Sequence, residues 1–75
     1  MVAKIMIQFA EHISADRVAA MISSIAAYGH VVDGGSPREF VVEIFRASHL
    51  PGLKIRLMEW ERYGFLTYAE PPISK

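Results

Sequence analysis

The segment His30-Val31-Val32-Asp33-Gly34-Gly35-Ser36-Pro37-Arg38-Glu39-Phe40-Val41-Val42-Glu43-Ile44-Phe45 decides the fold. Two runs rich in β-branched and aromatic residues, His30 to Val32 and Phe40 to Phe45, flank the turn formers Asp33-Gly34-Gly35-Ser36-Pro37. This pattern predicts a β-hairpin with a loop longer than two residues. Before it, Ser14 offers an oxygen to helix N-terminal amides and Asp16 complements the positive end of the helix dipole. Val18, Met21, Ile22 and Ile25 then recur at spacings of three and four. Gly29 stands where a left-handed cap is expected, so a helix is predicted over Ala15 to Tyr28. Further out, Ala3-Lys4-Ile5-Met6-Ile7-Gln8-Phe9 alternates apolar and polar positions, as a half-buried strand does.

After the hairpin, Ser48 is a candidate N-cap, and Pro51 suits a first helical turn because its missing N–H has no partner to lose there. Leu50, Leu53, Leu57 and Trp60 share one stripe, while Gly52 also permits a helix that starts only at Leu53. Gly64 closes this helix, and Phe65-Leu66-Thr67-Tyr68-Ala69 forms a last strand before Glu70-Pro71-Pro72 forbids regular pairing. The order is therefore β-α-β-β-α-β. It predicts an α+β, ferredoxin-like domain over residues 1–75, a four-stranded antiparallel sheet with two helices on one face. The expected core is Ile5, Ile7, Phe9, Val18, Ile22, Ile25, Phe40, Val42, Ile44, Leu53, Leu57 and Phe65.

Composition narrows the function classes. Valine, isoleucine, leucine, phenylalanine and methionine make up 26 of the 75 residues, too many for a disordered chain. With no cysteine there is no disulfide framework, thiol nucleophile or thiolate metal site. Eight basic residues balance eight acidic ones, which argues against a nonspecific polyanion binder. Lys4, Glu11, Asp16 and Arg17 interrupt the apolar N-terminal third well short of the roughly 18 residues of a membrane span. The short apolar run after Lys4 ends in Gln8 and does not read as a signal peptide, so a cytoplasmic protein is expected.

Acid-base or metal chemistry would begin with His12, His30 and His49. Their spacing matches no HxH, HxxxH or HExxH pattern, and no metal or other cofactor is expected. The enzyme alternative is a histidine-based site between subunits of a small oligomer, with Glu11, Asp33 or Glu43 as partner carboxylates. Asp33-Gly34-Gly35-Ser36 is no phosphate loop, because it feeds a strand where such a loop feeds a helix. Arg38 to Phe45 resembles the RNA-recognition motif, whose central strands stack bases on aromatic rings. Phe40 and Phe45 stand at aromatic places of that octapeptide. Val42 replaces a third ring, Glu43 adds a negative charge and Met6 stands where the partner strand needs an aromatic, so nucleic acid is the alternative ligand and a core role is expected for Phe40.

A second resemblance spans nearly the whole chain. Lys4-Ile5-Met6-Ile7-Gln8-Phe9, a helix ending at a glycine before His30-Val31-Val32, and Gly64-Phe65-Leu66-Thr67-Tyr68-Ala69-Glu70 at the end resemble the propeptides of subtilisin-like proteases and their stand-alone inhibitor relatives. The resemblance implies a sheet face packed on a protease, with Tyr68, Ala69 and Glu70 at the last strand and Pro71 to Lys75 lying along the active-site cleft.

The expected function is a noncatalytic protein-binding or self-associating module; the resemblance implies a propeptide-like protease inhibitor as one form of it. With Ile5, Ile7 and Phe9 facing the helices, Met6 lies on the open face together with Val41, Glu43 and Phe45; Leu66 and Tyr68 are expected to extend that face. Several outward apolar side chains suggest an interface. Ile55 and Met58 lie off the second helix's core stripe and, with Trp60, suggest a second contact. The predicted interface residues are therefore Met6, Val41, Phe45, Tyr68, Ile55, Met58 and Trp60. The expected partner is another protein or a second copy.

Overall fold

The computed structural model describes residues 1–70. Its elements are β1 (Ala3–Phe9), α1 (Ala15–Ile25), β2 (His30–Ser36), β3 (Glu39–Ile44), a 3-10 turn (Ala47–His49), α2 (Leu50–Arg62) and β4 (Leu66–Ala69). All strand pairs are antiparallel and the sheet order is β2-β3-β1-β4, the ferredoxin-like architecture read from the element order. The two central strands, β1 and β3, carry the largest numbers of β-branched and aromatic residues.

β1 alternates strictly: Ala3, Ile5, Ile7 and Phe9 are buried, and Lys4, Met6 and Gln8 are exposed. The buried side chains of α1 (Val18, Met21, Ile25) and of α2 (Leu53, Leu57) join one cluster with that buried set of β1 and with Val42 and Ile44 of β3. The sheet thus has a core side and an open side. Ile22, Phe40 and Phe65, expected in the core, are half-buried against its edge. Ala3, Ile13, Met21 and Leu66 complete it instead.

Ser14 caps α1 as expected, its hydroxyl accepting the Arg17 N–H at 3.2 Å. The helix ends at Ile25, three residues earlier than its periodicity suggests. Ala27 and Tyr28 reach back only three residues, to Ser24 and Ile25, so the last turn tightens and stops. Gly29 is not a left-handed cap, because among the glycines only Gly35 (φ 106°) and Gly64 (φ 78°) have positive φ. Glycine is needed at position 29 for space: a Cβ there would lie 2.6 Å from the Glu43 carbonyl oxygen. At the end of α2 the left-handed Gly64 does the expected work. Its N–H bonds to the Glu61 carbonyl and the Phe65 N–H to the Trp60 carbonyl, each at 3.0 Å, which closes a Schellman cap.

α2 starts at Leu50, with Pro51 in its first turn, so the earlier of the two expected starts holds. Ser48 is not its cap. Ser48 falls inside the preceding 3-10 turn, and position 49 takes the N-cap place without a side-chain bond. The hairpin also differs from expectation. Asp33 to Ser36 belong to β2, with a bulge between Asp33 and Ser36, and the two-residue turn is Pro37-Arg38. The glycines serve the bulge, where Gly35 takes the positive φ that side chains disfavour.

Arg38 locks this turn to the β1–α1 loop. Its Nη1 donates to the Ala10 carbonyl at 2.8 Å and to the Ile13 carbonyl at 2.7 Å, and its own carbonyl accepts the Phe9 N–H at 2.8 Å. Hydrogen bonds from a charged donor are each worth about 1.5–3 kcal/mol when partly shielded. Arg38→Ala is expected to lower unfolding stability by about 2 kcal/mol, read as a fall in the urea midpoint at unchanged slope. An unchanged midpoint would mean that the loop holds its place without this guanidinium.

Candidate interaction surface

Strand register fixes which side chains share the open side, because directly paired residues point the same way. Met6 pairs with Val41 on one flank and Ala69 on the other, and Val41 pairs with Val32. Val32, Val41, Met6 and Ala69 therefore form one apolar row crossing all four strands. On one side of it runs a charged row, His30, Glu43 and Lys4. A polar row, Ser36, Glu39, Gln8 and Thr67, runs on the other. Met6 is 49 % exposed although it sits at the middle of a central strand, so none of the described residues covers it. A shallow depression of ≈ 200 Å³ lies across the rows, bounded by Met6, Gln8, Gly34, Glu39, Val41 and Thr67.

The ladder runs on past β3. The Val2 N–H donates to the Ile44 carbonyl at 2.7 Å, which brings Val2 beside Phe45 at the end of the sheet. Both side chains are exposed, Phe45 by 58 %. They add apolar surface beyond the charged row.

The seven predicted interface residues do not form one surface. Met6 and Val41 lie at the centre of the open side and Phe45 at its end. Tyr68 is a correction: it pairs with Ile7, whose side chain is buried, and packs half-buried against the core. Leu66, paired with Phe9, is likewise buried. A slip of one residue in the expected phase of β4 reverses both. The open-side residues of β4 are Thr67 and Ala69. Ile55 and Met58 are exposed on α2, away from the Leu53 and Leu57 stripe, so they belong to a different surface. Trp60 packs half-buried against the core with the Arg56 guanidinium 5.5 Å from its ring centre.

The histidines are dispersed. His12 is exposed in the turn after β1, and His49 is half-buried with its Nδ1 3.2 Å from the Tyr28 carbonyl oxygen. His30 stands at the edge of the open side opposite Glu43. The Asp33 carboxylate accepts the Gly35 N–H at 3.3 Å within the bulge. Among the described residues no three histidine, aspartate or glutamate side chains gather where they could hold a metal ion. Of the two aromatic residues shared with the RNA-recognition motif, Phe40 pairs with Ile7 and meets Phe9 edge-on at 5.9 Å, leaving Phe45 alone exposed.

The groove between α1 and the hairpin is larger, ≈ 400 Å³, and lined mainly by Val18, Ile22, Pro37 and Phe40. Its one charged member, Arg38, already donates to two carbonyls. At the other end of the sheet Glu70 is paired with Lys54 at 2.7 Å, an exposed contact worth at most about 1 kcal/mol. Pro71 to Lys75, the proposed cleft-binding tail, lie outside the described residues. No helix among the described residues is long and apolar enough to cross a membrane. No family model, curated protein or solved structure matches the chain.

Proposed function

We propose that this chain is a noncatalytic, cytoplasmic protein-binding module whose working surface is the open side of its sheet. The observation that carries the reading is the apolar row Val32, Val41, Met6 and Ala69, which no helix among the described residues packs upon and which polar rows border. A protein gains solubility by placing lysine, glutamate or threonine at exposed strand positions. This chain does so on both sides of the row and leaves the middle apolar. An apolar centre with a polar rim is the composition of a protein interface. The depression on this side, ≈ 200 Å³, is smaller than the roughly 300–1,000 Å³ of small-molecule pockets, which favours another protein surface as its ligand.

Photo-crosslinking tests the choice of face. A photoreactive residue in place of Val41 is expected to form covalent protein adducts, whereas the same residue in place of Ile55 on α2 is expected to form few. Adducts from position 55 alone, or from neither position, would overturn the reading.

A further inference from the structure

We infer that the occupant of the open side is a second copy of this chain, packed sheet to sheet about a two-fold axis that runs parallel to the strands between β1 and β3. The inference rests on the reading of this side as a docking surface. Its support is charge complementarity. A two-fold interface brings each residue against another residue of the same surface, so the pattern must match itself after rotation. The strand order β2-β3-β1-β4 has its centre between β3 and β1. Rotation about that line exchanges the two central strands across the interface and keeps every row on its own level.

The paired register then decides what meets what. Lys4 is level with Glu43, Met6 with Val41, and Gln8 with Glu39. After rotation Lys4 faces Glu43 of the second copy and Glu43 faces its Lys4. Met6 faces Val41 in the same reciprocal way, Gln8 faces Glu39, and on the flanks Val32 faces Ala69. The four charges at one end of the interface alternate in sign, and no like-charged pair is directly opposed. The alternative axis, lying along the apolar row, fails this test: it turns the charged row onto the polar row and sets Glu43 against Glu39. Aligned packing with strands crossing at about 30° is the usual way two sheets meet face to face.

The area sets the strength. Four strands about 4.8 Å apart and seven residues at about 3.3 Å each give a face of roughly 400 Å² per copy. Twice that, roughly 800 Å², falls below the about 1,000 Å² of a stable interface, so the self-association expected is weak and transient.

Charge reversal tests the geometry. Sedimentation equilibrium would compare the wild type, Lys4→Glu, Glu43→Lys and the double reversal, with circular dichroism as a check of folding. The two-fold axis doubles each exchange, so either single reversal is expected to raise Kd by about 10- to 30-fold, and the double reversal to restore it to within about 3-fold. The single effects are also expected to shrink at 1 M salt, where the screening length falls to about 3 Å. A dimer that ignores the reversals, or single losses that the double variant does not repair, would overturn this geometry. A wild type monomeric at about 1 mM would overturn self-association altogether. Neither result touches the crosslinking test at Val41, where an adduct heavier or lighter than two copies would keep the docking reading and replace the partner.

Discussion

Replacing Gly29 with alanine is expected to lower the melting temperature by about 10–15 °C. The added Cβ would lie 2.6 Å from the Glu43 carbonyl oxygen and 2.9 Å from Ile44 Cδ1. The first of these neighbours is backbone of a central strand and cannot turn aside as a side-chain tip can. Overpacking of this kind costs about 1–3 kcal/mol, and each kcal/mol moves the midpoint of a domain this size by about 4–8 °C. The loss is a large share of a total stability of about 4–11 kcal/mol for a chain of 75 residues. Gly52→Ala is the contrast. There the new Cβ meets the edge of the Tyr28 ring at 3.0 Å, a side chain able to yield, and alanine favours the helix by about 1 kcal/mol. Its midpoint is expected to stay within a few degrees of the wild type. Equal melting of the Gly29 variant and the wild type would show that the two chain segments are farther apart than the structure has them.

Met6→Glu is expected to raise the Kd of self-association by at least about 100-fold while leaving the fold intact. Met6 is half exposed in the single chain, so a carboxylate there stays in water and stability should change by no more than about 0.5 kcal/mol. In the pair it sits in the middle of the apolar row against Val41 of the second copy, and the two-fold axis buries it twice. A carboxylate removed from water without a partner costs several kcal/mol. Ile55→Glu, at a more exposed apolar position on α2, is expected to leave Kd unchanged. Light scattering across a concentration series reads both. A larger effect from position 55 would move the interface to the helices.

The fold was legible because three independent patterns agreed. Alternation in Ala3 to Phe9, the three-and-four spacing of Val18, Met21, Ile22 and Ile25, and the Leu53, Leu57 stripe each fix an element without reference to the others. What failed were features decided by contacts between elements. Gly29 and Gly64 look alike in sequence, both standing near the expected end of a helix. One answers a close approach by β3 and the other a backbone dihedral, and only the folded chain separates them. Gly34 and Gly35 are the strongest turn formers in the hairpin sequence, yet the antiparallel register puts Ser36 opposite Glu39 and leaves the turn to Pro37-Arg38.

The candidate surface was half legible for the same reason. Met6 follows from alternation within β1; β3 carries apolar residues in both phases, and the burial of Val42 and Ile44 is what leaves Val41 on the open side. Leu66-Thr67-Tyr68-Ala69 alternates on a four-residue strand with an aromatic residue and a leucine in one phase and small residues in the other. Large side chains suit either an interface or a core, so the strand alone cannot choose. Pairing of Phe9 with Leu66 chooses the core. Val32 and Ala69 become part of a row only once they are known to lie level with Val41 and Met6, which is a statement about register and not about composition. Arg38 had no sequence signal as a staple, since its two acceptors, Ala10 and Ile13, are backbone carbonyls that any residue supplies.

A two-fold pairing of open sheet sides would be visible to isotope-filtered NOE spectroscopy on a mixture of labelled and unlabelled chains at millimolar concentration. Met6 and Val41 are neighbours within one chain, and the filter removes that contribution. Intermolecular cross-peaks are expected between the Met6 methyl group of one copy and the Val41 methyl groups of the other, with Val32 to Ala69 peaks on the flanks. Intermolecular peaks that arise from Ile55 and Met58, with none from Met6, would contradict this pairing.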